Sequence, residues 1–129
     1  MPLVSHHMSR HVLSVGPGDP ITAVAQHMVE RNLGAVVVLD GERLVGIMTE
    51  RDLMRAVARG LHDGALVSEY MTRDPETIVP QDTTEHAAVL MIHGGFRHLP
   101  VIENDVVVGM LSIRDLMRIV LEDSAPRGV

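Results

Sequence analysis

The chain has 129 residues, a net charge of −6, no cysteine and 46% hydrophobic residues, of which few are aromatic. Its length predicts one compact globular unit. The acidic charge and scarce aromatic rings argue against a nucleic-acid partner, which requires cations and stacking platforms, and the lack of cysteine excludes disulfides and thiolate metal sites. No apolar run approaches the roughly 18–20 residues that span a membrane, and no signal peptide is visible. We therefore expect a cytoplasmic protein with no membrane partner.

The chain begins with residues 1–8, which we set apart from the fold because they resemble a cloning remnant, and a short lead-in at 9–15. Two prolines and two glycines within residues 16–20 predict a turn. Asp19 as N-cap then predicts a helix over 21–31, whose apolar residues recur at helical spacing.

A strand and a hairpin follow this helix. Gly34 is suited to a left-handed turn at the helix end. The β-branched run at 35–39 lacks polar alternation, which predicts a strand buried on both faces. Residues 43–48 form the second hairpin strand, and Thr49 is placed to cap a helix over 50–59.

After a linker at 61–76, the second half follows the same plan. We expect a short strand, a helix, two strands and a final helix capped by Ser112, at residues 77–79, 83–93, 97–103, 106–111 and about 113–122. The polar tail, 124–129, is expected to fray.

An internal repeat explains the parallel between the halves. Residues 46–55 return almost intact as 109–118, an offset of 63 residues that needs no insertion across 15–57. The chain is therefore two copies of one unit, 15–57 and 78–120, and one copy of about 45 residues would struggle to bury enough surface alone. We predict an α+β fold of two β-α-β-β-α units, packed sheet to sheet about a pseudo-twofold axis.

The repeated motif is glycine, two residues, threonine or serine, two residues, and aspartate. It is formed by Gly46, Thr49 and Asp52, and again by Gly109, Ser112 and Asp115. With the order of elements and the run at 99–102, it resembles the CBS domain, the repeat named after cystathionine β-synthase, whose tandem pair is a Bateman module. The resemblance implies repeats at 9–60 and 77–123, joined by the linker at 61–76.

The resemblance also implies a function. Such pairs are non-catalytic regulatory modules that bind AMP, ADP, ATP or S-adenosylmethionine in clefts between the repeats and modulate a partner protein. They require no cofactor and commonly pair through helix faces, so we expect a homodimer acting on an effector protein that the sequence does not identify. The alternative is a ligand-free structural or dimerisation module. The sequence contains no Walker loop, nucleophile elbow or HExxH motif, so we expect no enzyme activity.

The motif residues suit this chemistry. A hydroxyl beside helix N-terminal N–H groups can contact a phosphate or ribose. The aspartate one turn on can accept hydrogen bonds from ribose hydroxyls, and apolar strand residues can enclose an adenine. Equally, Thr49 and Ser112 can be plain N-caps, while Asp52 and Asp115 only complement the helix dipole.

In the family, the hydroxyl and aspartate of one repeat face the strands of the other. The resemblance thus implies one cleft with Thr49, Asp52, Ile78, Arg97 and His98. It implies a second cleft with Ser112, Asp115, Val15, Gly34 and Ala35. Because Arg97 matches a phosphate, our hypothesis is that the Asp52 cleft is the main phosphate-bearing site.

The histidines raise the question of a metal site. His86 and His93 are seven residues apart, whereas helical metal ligands are more often spaced by three or four. We therefore expect no metal site.

Overall fold

The protein is described here by a computed structural model covering residues 2–124, with side chains for residues 2–122. It forms two compact units, Val12–Pro75 and the combination of residues 2–11 with 76–124. Both units mix helices and strands, which confirms the α+β class. The predicted fraying of the tail concerns residues that, apart from Ser124, lie outside the described part of the chain.

The first unit contains the predicted helices and hairpin, with two additional short elements near its end. Its elements are β1 (Ser14–Val15), α1 (Ile21–Arg31), β2 (Ala35–Asp40), β3 (Arg43–Thr49), α2 (Glu50–Ala58), α3 (Val67–Tyr70) and β4 (Thr72–Arg73). The sheet has the order β1-β2-β3-β4, in which β1 and β2 are parallel and the other neighbours antiparallel. The first four residues of β2 are buried, as its unbroken apolar run predicts.

The second unit repeats this arrangement. It contains α4 (Thr84–Gly94), β5 (His98–Glu103), β6 (Val106–Ser112) and α5 (Ile113–Ser124). Ile78 forms a parallel bridge to Val101, and Ser9 forms an antiparallel bridge to Met110. Ile78 and Ser9 therefore take the places that Val15 and Thr72 hold in the first sheet. Even the irregularity between Val38 and Leu39 returns between Val101 and Ile102.

Setting residues 1–8 apart from the fold was wrong for residues 2–8, the part of this segment that the structure describes. Val4 has no exposed surface and lies in a core cluster with Leu99 and Leu111. Its N–H donates to the Asp82 carbonyl at 2.8 Å. This segment buries an apolar side chain, and Ser9, directly after it, pairs at the edge of the second sheet, so residues 2–11 are part of the second unit.

The segment between the repeats contributes to the first unit in the same way. Val67, in α3, has no exposed surface and packs in the cluster of Val36 and Met48. Thr72 pairs with Ile47 at the edge of the sheet. The predicted linker thus contains core residues of the first unit.

Two local predictions about α1 were wrong. Pro20, not Asp19, is the N-cap, and the Asp19 carboxylate instead accepts a hydrogen bond from the Gly16 N–H at 2.8 Å. Asn32 takes the left-handed conformation at the helix end, with φ of 53°, where Gly34 was expected to do so. Asparagine tolerates this region because its short polar side chain can bond locally.

Within residues 2–124, no helix is long and apolar enough to cross a membrane.

Candidate ligand-binding site

The N-terminus of α2 is a capping box built by Thr49 and Asp52. The Thr49 hydroxyl accepts from the Asp52 N–H at 3.2 Å, and Asp52 Oδ2 accepts from the Thr49 N–H at 2.9 Å. The Thr49 hydroxyl also donates to Oδ2, at 3.0 Å. These bonds satisfy N–H groups that a helix start leaves without intrahelical partners. The local structure therefore fixes both side chains at the helix end.

Two residues that the resemblance assigned to the cleft of Ser112 and Asp115, Gly34 and Ala35, lie close to this helix end. Ala35 is the register partner of Thr49, and the Gly34 carbonyl accepts from the Glu50 N–H at 3.1 Å. Val15, on the neighbouring strand, pairs with Val38. The carboxyl end of β3 thus brings Gly34 and Ala35 beside the hydroxyl.

The N-terminus of α5 repeats the geometry. Asp115 Oδ2 accepts from the Ser112 N–H at 2.8 Å and from its hydroxyl at 3.0 Å, and that hydroxyl accepts from the Asp115 N–H at 3.2 Å. Serine and threonine therefore perform the same task in the two repeats.

The larger polar side chains lie beside this second helix. His98 is the register partner of Ser112, and the Arg97 carbonyl accepts from the Ile113 N–H at 2.8 Å. Arg97 is exposed and His98 half-buried. Arg97 and His98 thus hold the positions beside this helix N-terminus that glycine and alanine hold in the first unit.

In each unit, the hydroxyl and aspartate lie beside the two predicted residues at the start of the hairpin. Val15 and Ile78 pair farther along the strand, with Val38 and Val101. The interpretation of the Thr49 and Ser112 hydroxyls as N-caps is confirmed, since each hydroxyl is part of a capping box. A capping role leaves open a second role toward a ligand, because carboxylate and hydroxyl oxygens accept more than one hydrogen bond. The pairing of residues from different repeats, which the resemblance implies, stays a prediction.

Thr72 was missed as a site residue. Its hydroxyl donates to Asp52 Oδ1 at 3.0 Å. A signal for it was present, because residues 71–73, Met-Thr-Arg, repeat residues 8–10, Met-Ser-Arg, at the same offset of 63. This repeat relates the two segments to each other, but it does not predict that either segment joins a sheet.

His27, His62 and His86 each pair with one acidic side chain. His86 Nδ1 lies 2.6 Å from Asp82 Oδ2. Among residues 2–122, no group of three histidine or acidic side chains is arranged to hold a metal ion. His62 bonds the Asp63 carbonyl and Glu69, and these contacts raise its pKa, while the bond from His62 lowers the pKa of Glu69.

Comparison with known proteins agrees with this geometry. The family described as CBS domain matches residues 4–59 and 67–122. A crystal structure of the CBS domain protein NE2398 superposes with a TM-score of 0.88 at 34% identity, covering 94% of this chain and 99% of that one. The CBS domain protein PAE2072 from Pyrobaculum aerophilum, solved in complex with AMP, has a TM-score of 0.83 at 30% identity and covers 95% and 99%.

Sequence relatives vary in length. An uncharacterized 17.7 kDa protein of Acidianus ambivalens is 40% identical over 121 residues, which are 92% of this chain and 73% of the relative. The chain spans only 42% of protein MJ1225 of Methanocaldococcus jannaschii and 22% of an inosine-5'-monophosphate dehydrogenase of Korarchaeum cryptofilum. The family matches both repeats, and solved members share the fold along nearly the whole chain. This chain therefore belongs to the CBS domain family, as a tandem pair of CBS domains.

Proposed function

We propose that this chain is a regulatory module that binds an adenosine-containing ligand and adjusts the activity of a partner protein. The observation that carries the proposal is the duplicated arrangement at the ends of β3 and β6. There, each helix N-terminus holds a hydroxyl and a carboxylate in the same hydrogen-bonded geometry. Support also comes from a 30% identical CBS protein, PAE2072, that was solved in complex with AMP.

The chemistry of each group assigns it a part of the ligand. First-turn N–H groups and the hydroxyl of Thr49 or Ser112 suit a phosphate or ribose oxygen. Asp52 and Asp115 accept hydrogen bonds from the ribose hydroxyls. Apolar strand residues such as Val15 and Ile78 pack against the adenine.

Following the family, the ligands bind in clefts between the repeats. The Thr49 and Asp52 pair works with Ile78, Arg97 and His98. The Ser112 and Asp115 pair works with Val15, Gly34 and Ala35. An exposed arginine provides a planar, permanently charged fork for phosphate oxygens, so AMP, ADP or ATP gains most from Arg97.

A thermal-shift screen tests ligand binding. Adenosine, AMP, ADP, ATP and S-adenosylmethionine are added to the purified chain, with inorganic phosphate as the control. A ligand at about 100 times its Kd stabilises the native state by about 2.7 kcal/mol, which raises Tm by several degrees. Asp52→Ala combined with Asp115→Ala is expected to abolish the shift, and Asp105→Ala, an exposed turn residue, to retain it. No shift with any ligand would contradict nucleotide sensing.

Arg97→Ala tests the assignment of the phosphate. We expect AMP affinity to fall by about tenfold, since charge-assisted bonds are the stronger ones, and adenosine affinity to stay the same. Arg43→Ala, on an exposed position of β3, is the matched control. If Arg97→Ala lowered the affinities for adenosine and AMP equally, the proposed contact between Arg97 and the phosphate would be wrong.

The proposed role is non-catalytic. At each helix end the hydroxyl and the carboxylate are engaged with each other and with backbone N–H groups in a capping box, so the proposal assigns neither a chemical step. Regulation is then exerted on a separate effector protein or on a further domain. Incubation of the chain with AMP, followed by nuclear magnetic resonance of the nucleotide, would overturn this role if AMP were consumed.

A homodimer is part of the proposal because both helix pairs expose apolar side chains at repeat-related positions. Val29, Met54 and Val57 are 81%, 68% and 68% exposed. Their counterparts at the offset of 63, Ile92, Met117 and Val120, are 75%, 58% and 63% exposed. Exposed apolar patches of this kind indicate association surfaces, and a second copy presents the same surface for pairing.

Sedimentation velocity tests the dimer. At micromolar concentration the chain is expected to sediment as a dimer and the double variant Met54→Glu, Met117→Glu as a monomer. Val106→Glu, exposed at the β5–β6 turn, is the control that remains dimeric. A monomeric parent chain would contradict the proposal. A dimer that binds no nucleotide would favour the alternative, a structural or dimerisation module.

A further inference from the structure

The two motif carboxylates are held alike on one side. Oδ2 of Asp52 accepts from the N–H and the hydroxyl of Thr49, and Oδ2 of Asp115 does the same with Ser112. A carboxylate oxygen has two lone pairs. Both inner oxygens are therefore fully used within the capping box, and a ligand must address the outer oxygen, Oδ1.

The outer oxygens have different partners. Asp52 Oδ1 accepts from the Thr72 hydroxyl at 3.0 Å, and Arg55 lies farther away, at 3.7 Å. Asp115 Oδ1 accepts from Arg118 at 3.3 Å. Ser9, the repeat counterpart of Thr72, instead accepts from the His11 N–H at 3.3 Å.

The partners also differ in how readily they move away. Thr72 is exposed as well, but its backbone is held by the pairing of β4 with β3, and its short branched side chain has a restricted χ1. Arg118 has a side chain that is 63% exposed, and exposed ion pairs contribute little to stability. The side chain of Asp52 is 3% exposed and that of Asp115 is 12% exposed. Rotation of the Arg118 side chain thus frees Oδ1 of Asp115 for a ligand. Oδ1 of Asp52 keeps its hydrogen bond from Thr72, because β4 holds that residue in place.

We infer that Thr72 is an affinity-setting residue that makes the two ribose sites unequal. The inference rests on the proposed function. The two hydroxyls of a ribose need two acceptor positions. Asp115 offers both on Oδ1 once Arg118 turns away, and Asp52 retains one while Thr72 donates to it. A ribose therefore binds first at Asp115, and the Asp52 site fills at higher concentration.

This order concerns the ribose and is opposite to the preference that Arg97 creates for a phosphate at the Asp52 site. The probe that isolates it is adenosine, which carries the ribose and no phosphate. AMP then shows how far Arg97 compensates for the occupied Asp52.

The experiment is isothermal titration of the full chain with adenosine. Two unequal sites are expected, and Asp115→Ala is expected to remove the tighter one. In that Asp115→Ala background, Thr72→Val should strengthen the remaining site by about fivefold, because the outer oxygen loses its competing donor. Thr72→Ser keeps the hydroxyl and should leave affinity unchanged, as should Ser9→Ala, the matched change at the other sheet edge.

The outcomes separate the inference from the proposed function. An absence of adenosine and AMP binding in the unaltered chain overturns both. Two equal sites, loss of the tighter site by Asp52→Ala, or an unchanged affinity in Thr72→Val overturns the inference alone. Thr72→Ala, which also removes the hydroxyl, repeats the test if the valine variant has a lowered Tm.

Discussion

The two repeats share an interior and differ at their edges. The same register, bulge and capping box occur in both, but the last strand of the sheet comes from a different part of the chain in each. In the first repeat this edge is β4, which lies after α2 in the sequence. In the second repeat the edge is Ser9, which lies before β1 in the sequence. The structural unit therefore differs from the sequence repeat, because each sheet takes its edge from residues outside the segments 15–57 and 78–120.

The largest expected effect tests whether residues 2–11 are as structural as α3. Val4→Asp and Val67→Asp each bury a charge at a position with no exposed surface. An unpaired buried charge costs several kcal/mol, so we expect each variant to lose about 3 kcal/mol or more of unfolding free energy. Val106→Asp, 52% exposed, serves as the control in urea unfolding. If Val4→Asp left the unfolding free energy unchanged while Val67→Asp lowered it, residues 2–11 would not be structurally equivalent to α3.

The next effect concerns the glycines that the edge strands cross. A Cβ at Gly46 would lie 2.9 Å from the Thr72 carbonyl oxygen, and one at Gly109 would lie 2.9 Å from that of Ser9. Such overpacking costs about 1–3 kcal/mol. Gly46→Ala and Gly109→Ala should therefore destabilise similarly. Gly18→Ala, where a Cβ meets nothing within 4 Å, should not. Unequal losses in thermal unfolding would show that one edge is looser.

The motif aspartates sharpen the comparison further. Asp52→Ala removes the acceptor of the Thr49 and Thr72 hydroxyls, whereas Asp115→Ala releases the exposed Arg118 as well as Ser112. A hydrogen bond contributes about 1 kcal/mol net, and the exposed Thr72 hydroxyl forms one with Asp52 that has no counterpart at Asp115, so the Asp52 variant should lose about 1 kcal/mol more. Glu42→Ala, which removes an exposed carboxylate between β2 and β3, is the reference. Equal losses by urea unfolding would mean that Thr72 adds nothing.

Helix caps give a smaller difference. Thr83 caps α4 through a bond from the His86 N–H at 3.1 Å, while Pro20, its counterpart, caps α1 without a side-chain bond. Thr83→Ala should cost about 1 kcal/mol, and Pro20→Ala should cost less. The two are compared by thermal unfolding. A larger loss from Pro20→Ala would reverse the assignment.

The smallest effect is a pH dependence that arises from a pair in the first unit. The Asp63 carbonyl and then Glu69 raise the pKa of His62, and the bond from His62 lowers the pKa of Glu69. Because the pKa of His62 is raised on folding, protonated His62 stabilises the fold fully below its ordinary pKa of 6.5. This stabilisation is lost as pH rises through the higher pKa of the folded state. Ionised Glu69 stabilises the fold above its ordinary pKa of 4.5, and this stabilisation is lost as pH falls through the lowered pKa of the folded state.

His62→Gln should therefore lower Tm slightly at pH 5.5, by about 1 °C or less for an exposed pair, and have no effect at pH 8.5. His27→Gln, whose Glu30 partner is 3.9 Å away, is the control. A larger effect at pH 8.5 than at pH 5.5 would contradict the assignment.

Most of the secondary structure could be predicted because local rules specify it. Periodicity located α1, the apolar run located β2, and the hydroxyl followed by Asp52 located the start of α2. The predictions failed where two residues compete for one local role. Asp19 was expected to cap α1, but it serves the Gly16 turn instead.

The candidate site could be predicted only in part. Thr49, Asp52, Ser112 and Asp115 were found because their roles are local and repeated. Thr72 was missed, since its contact with Asp52 joins residues 20 positions apart through sheet pairing. Val4 was missed for the same reason, because its burial depends on contacts with distant strands of the second unit.

The sequence by itself determined the duplication, the element order and the hydroxyl–aspartate pairs, because these follow from a repeat offset and from hydrogen bonds within four residues. Only the tertiary structure decided that residues 2–11 complete the second sheet and that Thr72 occupies the outer oxygen of Asp52. Strand pairing and burial bring together residues that are distant along the chain, and no local pattern states which distant edge a short strand will join.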